Sequence, residues 1–450
     1  MTSTRTATYS TTVAIVGAGI SGSAAAHRLM NHGISDIVVL EASDSPGGRT
    51  GFMSVAGAVL DAGAQFIRPE QESLSALLGE LGLSVVALDA PGEPVCRVAP
   101  PVDHPQLKAF VDRLSDTVRL MDTDTPWTHP DAEWLDSMSV LEWAEDGGVD
   151  DPAVLGYLNT RTESMLSAPG DAVSALWFVY FVAASGGWEE FSTGTLSYRV
   201  AGGIGQIATL VGERLGDRLR TRCPVVRVDH RDESVLLTNA DDSTVEAEHV
   251  VFACSPSELT RIEFEPRLPT SRRLLNEGWT MAGGMKFALA YRTPFWRDLG
   301  FNGQIIPDAD TPLSSVWDNT PDGNGPGILM GLTSRRRFDE RLPADPAERI
   351  AAIESYIAEA FGESTPKSID YVEKLWGDEE WVSGCMSTNP PGSVLAHWSS
   401  IQESVDRLHF AGTETADRFN GYVEGAIRAG NRVADHLVAE LEERANAQSA

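Results

Sequence analysis

Glycines at 17, 19 and 22 stand in the order Gly17-Ala-Gly19-Ile-Ser-Gly22, directly after the apolar run Val13 to Val16 and before the alanine-rich segment Ser23 to Leu29. That spacing suits a phosphate. Gly17 permits a tight turn, Gly19 lets the backbone approach a pyrophosphate, and Gly22 with Ala26 lets a helix pack closely on the preceding strand. A helix starting near Ser21 turns free N–H groups and a positive dipole end toward the anion. Glu41 ends the next apolar run, Ile37 to Leu40, 24 residues after Gly17, where a carboxylate accepts hydrogen bonds from an adenosine ribose. A second glycine pair with a cation follows, Gly47-Gly48-Arg49, whose exposed amides and guanidinium fit the same pyrophosphate or a flavin edge. Together these residues predict a dinucleotide site.

Positioning them takes a strand, a turn, a helix and a second strand. Next, Ala58 to Phe66 reads as a strand with Gly63 where a ligand comes close, and a helix runs from Ser73 to Leu81. From Leu83 the texture changes to proline-punctuated helical patterns over Gln106–Met121, Ser139–Glu145 and Pro152–Leu166. The run Ala175 to Val182 holds Trp177, Phe178, Tyr180 and Phe181, too many aromatics for one face. Trp177 is therefore a candidate cavity wall, with plain core as the alternative. Glycine turns return at Gly202-Gly203, followed by short strands separated by Asp/Asn-rich turns from Val225 to Phe252, a meander. Strands of a second sheet are expected at Met285–Tyr291, Ile328–Leu332 and Ser368–Leu375, and Asp345-Pro346 caps a helix ending at Phe361. Finally Leu408 to Phe410 runs into Gly412 and Glu414, and a helix starting near Tyr422 and Val423 aims its N-terminus at an anion.

The expected fold class is α/β: a Rossmann-like domain from residues 1–82, 196–262 and 381–450, and a mixed-sheet and helical substrate domain from 83–195 and 263–380. Lys+Arg 35 against Asp+Glu 65 leaves a formal charge of −30, which argues against nucleic acid and anionic membranes as partners. Four cysteines without a CxxC pair or regular spacing argue against a disulfide framework or a zinc site and fit a reducing cytoplasm. The first dozen residues read as a frayed leader without a signal-peptide core, and no apolar stretch of about twenty residues offers a membrane span.

The motifs resemble those of the flavin-containing amine oxidases, the family of monoamine, polyamine and putrescine oxidases and L-amino-acid oxidases, over roughly residues 12–440. The markers are Gly17 to Gly22, Glu41 with Gly47-Gly48-Arg49, Gly202-Gly203, Met285-Lys286-Phe287 before Pro294-Phe295-Trp296, Trp376 ahead of Gly384-Cys385, and Phe410 to Glu414 with Gly421 to Gly425. The resemblance implies FAD as cofactor, held by these glycines, Ser21, Glu41, Arg49, Glu414, Val423 and the main chain of Val226. It implies that Lys286 holds a water beside the flavin and assists its reoxidation by oxygen. Tyr422 matches one wall of an aromatic cage for the amine; the opposite wall is Met386 here. Cys385 matches a cysteine that carries the flavin covalently in monoamine oxidases, with a small apolar filler as the alternative. Leu196 falls where those enzymes place a glutamine against substrate.

The implied reaction is oxidation of a primary or secondary amine, or a diamine, to an imine that water hydrolyses, with O2 reduced to H2O2. The partners are then a small-molecule amine and O2, and a homodimer is left open. A tailoring oxidase or desaturase of an amine-containing intermediate, a flavin dehydrogenase with another acceptor, and a flavin-bearing module without turnover stay open beside it.

Overall fold

The computed structural model describes residues 9–88, 91–96, 101–193, 198–231, 233–308, 311–321 and 325–449. The leading apolar run forms strand β1 (Tyr9–Val16), the alanine-rich segment helix α1 (Ile20–Asn31), and the next apolar run β2 (Ile37–Leu40). β1 is central: Val13 pairs in parallel with Ile37 on one side and with His249 of the strand Thr244–Phe252 on the other. The meander Val225–Asp229, Val235–Asn239, Thr244–Phe252 extends the sheet antiparallel, and Leu408–Phe410 joins the second half of Thr244–Phe252 in parallel. Eight strands from residues 9–40, 219–265 and 408–410 thus make one sheet.

Because side chains alternate along a strand, both faces of β1 are buried in separate cores. Val13 and Ile15 face α1 and the helix Val423–Ser449, while Ala14 and Val16 face Val250, Phe252 and the meander. The two helices approach so closely that a Cβ on Gly430 would lie 3.0 Å from the backbone nitrogen of Ala25.

A second sheet has six strands and is antiparallel around Gly284–Tyr291, which pairs with Gly327–Ser334 and Asp370–Leu375. Helices Pro105–Val118, Val140–Asp146, Pro152–Leu166 and Ala175–Ala184 pack beside it around an aromatic core. The strand expected over Ala58–Phe66 is broken: Ala58–Asp61 forms a hairpin with Phe52–Val55, and Phe66–Ile67 joins another small sheet. The bend lies at Gly63, where a Cβ would collide with the carbonyl of Arg49 and come within 2.9 Å of the Trp376 ring. No described helix is long and apolar enough to cross a membrane.

Candidate active site

One cavity of about 870 Å³ runs from the end of β1 to the second sheet. At its first end lie Gly17, Gly19 and Ser21. Gly17 holds a left-handed φ of +100°, and a Cβ on Gly22 would overlap the Gly17 carbonyl oxygen and reach within 3.2 Å of Ala253 Cβ. Gly22 therefore packs the helix against the turn and does not itself line the cavity, whereas Gly19 does. Glu41 is buried; its Oε2 accepts from the Ala18 N–H at 2.6 Å and its Oε1 from the N–H of Ser43 at 2.9 Å and the Ser43 hydroxyl at 2.6 Å. The carboxylate thus braces the glycine loop from the adjacent strand.

Gly48 and Arg49 follow along the wall. The Arg49 guanidinium lies 2.8 Å from Oε1 of Glu414, a carboxylate with no exposure. Glu414 sits behind the wall, and its oxygens accept no geometrically sound hydrogen bond among the described residues, so Arg49 is its counter-ion. Val423 contributes to the lining at the start of the last helix. A dinucleotide fits these residues: the cradle admits no side chain at Gly22, stays open in front of Gly19 and carries a cation at Arg49.

At the far end the cavity is lined by Lys286, Tyr422, Met386 and Cys385. Lys286 sits in the strand Gly284–Tyr291, opposite Leu332 on one side and Lys374 on the other. It is only 2% exposed. Its Nζ donates to the Gly63 carbonyl at 2.9 Å and to Gln65 Oε1 at 3.0 Å, 5.7 Å from the centre of the Trp317 ring. Burial pushes the ammonium down to about 7, opposed by Asp61. Asp61 is pushed up to about 6 by burial, opposed by Lys286 and by the Ile204 N–H, which donates to it at 2.8 Å. Asp61 and Gln65 went unnoticed in the sequence, although an aspartate closing an apolar strand was the available signal.

The Tyr422 ring stacks on Phe181 at 5.7 Å, and Arg68 lies 5.9 Å from its centre. Burial raises its phenol. Met386 packs against Gly421, where a Cβ would lie 2.9 Å from the methionine methyl. The Cys385 sulfur is 3.4 Å from the Ser167 hydroxyl, and burial raises its thiol.

Trp177 stands apart from this group, and its reading as a cavity wall is corrected. It is 1% exposed and packs at 5.2 Å on Tyr180 and 5.1 Å on Trp398, away from the lining residues. Four aromatics are accommodated because helix Ala175–Ala184 is covered on every side. The main chain expected at Val226 is corrected too: Cys223, Pro224 and Val225 line the cavity and Val226, beyond them at a register shift between Val225 and Arg227, does not. Leu196 lies outside the described residues.

With this geometry in view, residues 20–438 match the family described as flavin containing amine oxidoreductase. The chain belongs to that family. It is 31% identical over 458 residues to the human amine oxidase [flavin-containing] B, covering 95% of this chain and 86% of the relative. The structure of a wild-type putrescine oxidase bound to putrescine superposes with a TM-score of 0.91 at 30% identity, over 96% of this chain and 100% of that one. A cyclohexylamine oxidase from Brevibacterium oxydans IH-35A gives a TM-score of 0.90 at 29% identity, over 96% and 99%. This flavin-containing amine oxidoreductase therefore has the α/β amine oxidase fold and FAD as its cofactor.

Proposed function

We propose that the chain oxidises a primary or secondary amine, or a diamine, to an imine that water then hydrolyses, passing the electrons to O2 to give H2O2. The observation that carries this reading is one cavity with a phosphate cradle at one end and the buried Lys286 beside Tyr422 and Met386 at the other. FAD supplies the electron sink for hydride removal from the carbon next to nitrogen. The protein orients, excludes water and places charge. Gly17, Gly19, Ser21, Gly48 and Val423 hold the cofactor, with Glu41 bracing the loop and Glu414 fixing Arg49.

An ammonium has three donors, and Lys286 spends two on Gly63 and Gln65. As the ammonium, below about 7, it has a third N–H for a water in the cavity and a charge that favours negative charge developing nearby; as the free amine above that, its lone pair accepts from the same water. Tyr422 and Met386 make a half-aromatic, half-thioether passage that orients a neutral amine by shape and polarizability. Substrate therefore enters deprotonated, and turnover rises with pH toward the amine pKa.

The test mixes purified protein anaerobically with primary, secondary and diamine panels and follows the long-wavelength flavin absorbance. Bleaching by amines, reversed by air with one H2O2 per turnover, is the expected result. Bleaching that air does not reverse identifies a dehydrogenase, and no bleaching by any amine overturns the proposal.

A further inference from the structure

Residues that the FAD site leaves unused meet elsewhere on the eight-stranded sheet. His249 and His409 lie on the neighbouring parallel strands Thr244–Phe252 and Leu408–Phe410, with His409 opposite Val251. They are 1% and 2% exposed, and His249 Nδ1 is 3.2 Å from His409 Nε2. The helix Val423–Ser449 passes across them with His436 and Glu440, a pair at i and i+4 that shares one face. Glu440 Oε1 is 3.7 Å from His249 Nε2, Glu440 Oε2 is 3.9 Å from His436 Nε2, and the rings of His436 and His409 are 5.6 Å apart. His249 Nε2 is buried without a hydrogen bond among the described residues. None of the four lines the FAD cavity.

We propose that His249, His409 and Glu440, with His436 as fourth donor, form a structural binding site for a divalent transition metal of the zinc type. One ligand atom from each of the first three already lies within 4.8 Å of the others. An imidazole gives one nitrogen to an ion, and for His249 that is Nδ1, 3.2 Å from His409 Nε2, close to the roughly 3.3 Å between two nitrogens on a tetrahedral ion with bonds of about 2.0–2.1 Å. Glu440, which faces the other nitrogen, Nε2, has to swing round the ring to join them. Metal ligation needs neutral imidazole, and both rings are buried. The Ser404 hydroxyl, 3.0 Å from His409 Nδ1, can accept that N–H and so leave Nε2 as the ligating nitrogen.

Cations face the cluster as well, and each has a partner of its own. Arg444 pairs with the Glu248 carboxylate at 2.9 Å, Arg407 donates to the Glu248 carbonyl at 3.3 Å, and Arg432 donates to the Phe410 carbonyl at 2.8 Å. Glu440 brings the negative charge that a dication requires. Imidazole and carboxylate without thiolate select zinc, cobalt or nickel over magnesium or calcium. Such an ion would staple the last helix to the sheet.

The test uses metal-stripped, FAD-loaded protein titrated with Co2+ alone and then Zn2+. Expected are one Co2+ per chain with tetrahedral visible bands to the red of the flavin, displacement by Zn2+, and a rise in Tm at saturating Zn2+. Glu440→Gln, on a partly exposed side chain that leaves both strands intact, should weaken Zn2+ at least tenfold, and Glu442→Gln on the same helix should not. His409→Gln should abolish the bands. Absence of the Co2+ bands in the wild-type protein, or equal Zn2+ affinity in Glu440→Gln and Glu442→Gln, overturns the site.

Discussion

Replacing Lys286 by methionine should change how stability depends on pH, by an amount the burial of the lysine sets. Its ammonium titrates near 10.5 in the unfolded chain and at about 7 in the fold. Between those values the unfolded state binds the extra proton, so this group makes stability rise with pH, up to about 5 kcal/mol across the whole window. From pH 7 to pH 9 the increment is about 2 kcal/mol. Asp61 has the opposite sign, stability falling as pH rises from 3.8 to about 6, and that lies below the range. Methionine fills similar volume but carries no proton, so the increment vanishes, and Asp61, without the lysine charge that lowers it, moves further up and only widens the difference. Loss of the bonds to Gly63 and Gln65 costs the variant about the same at every pH, since neither acceptor titrates. Urea midpoints of the wild-type holoprotein and Lys286→Met, taken at half-unit steps from pH 7 to 9, measure the difference. Wild type should gain about 2 kcal/mol relative to the variant. Two curves parallel to within about 0.5 kcal/mol would refute a lysine whose charged form is disfavoured by the fold.

Other substitutions separate cofactor binding from packing. Gly22→Ala forces a methyl into the Gly17 carbonyl; it should yield colourless or insoluble protein, checked by the flavin-to-protein absorbance ratio, and a yellow, stable variant would contradict the packing role. Glu414→Gln removes the counter-ion of Arg49, which should weaken FAD about tenfold, or about 1.4 kcal/mol, in a fluorescence titration of the apoprotein. Trp177→Ala opens a hole in the aromatic core and should cost about 3–5 kcal/mol by denaturant unfolding, with the order of preference among amines unchanged; altered preference at undiminished stability would return Trp177 to the pocket.

The cofactor end was legible because its chemistry is carried by local spacing. Gly17, Gly19, Gly22 and Glu41 are close in sequence, and a strand-turn-helix frame leaves few ways to arrange them. The helix cap Asp345-Pro346 was equally readable, since the aspartate side chain accepts from the backbone N–H of Ala347. Trp177 failed for lack of periodicity: Ala175–Ala184 is apolar on every face, so nothing in its pattern separates a core-facing ring from a cavity-facing one. Val226 was missed by a position because the strand register is irregular between Val225 and Arg227, so spacing alone does not say which main-chain segment faces the cavity. The environment of Lys286 was invisible for another reason, as Gly63, Gln65 and Asp61 lie more than two hundred residues away and meet it only in the folded chain.

The strand Leu408–Phe410 has a consequence for how the protein is made. It fills the sheet beside Thr244–Phe252, and the helix after it covers the α1 side of the sheet core. The glycine loop, synthesised first, therefore cannot be enclosed until these late segments emerge. At about 5–20 residues per second the nascent sheet waits roughly 20–80 s for that last helix. Because Val423 of that helix lines the cavity, full enclosure of FAD is expected only after these segments emerge.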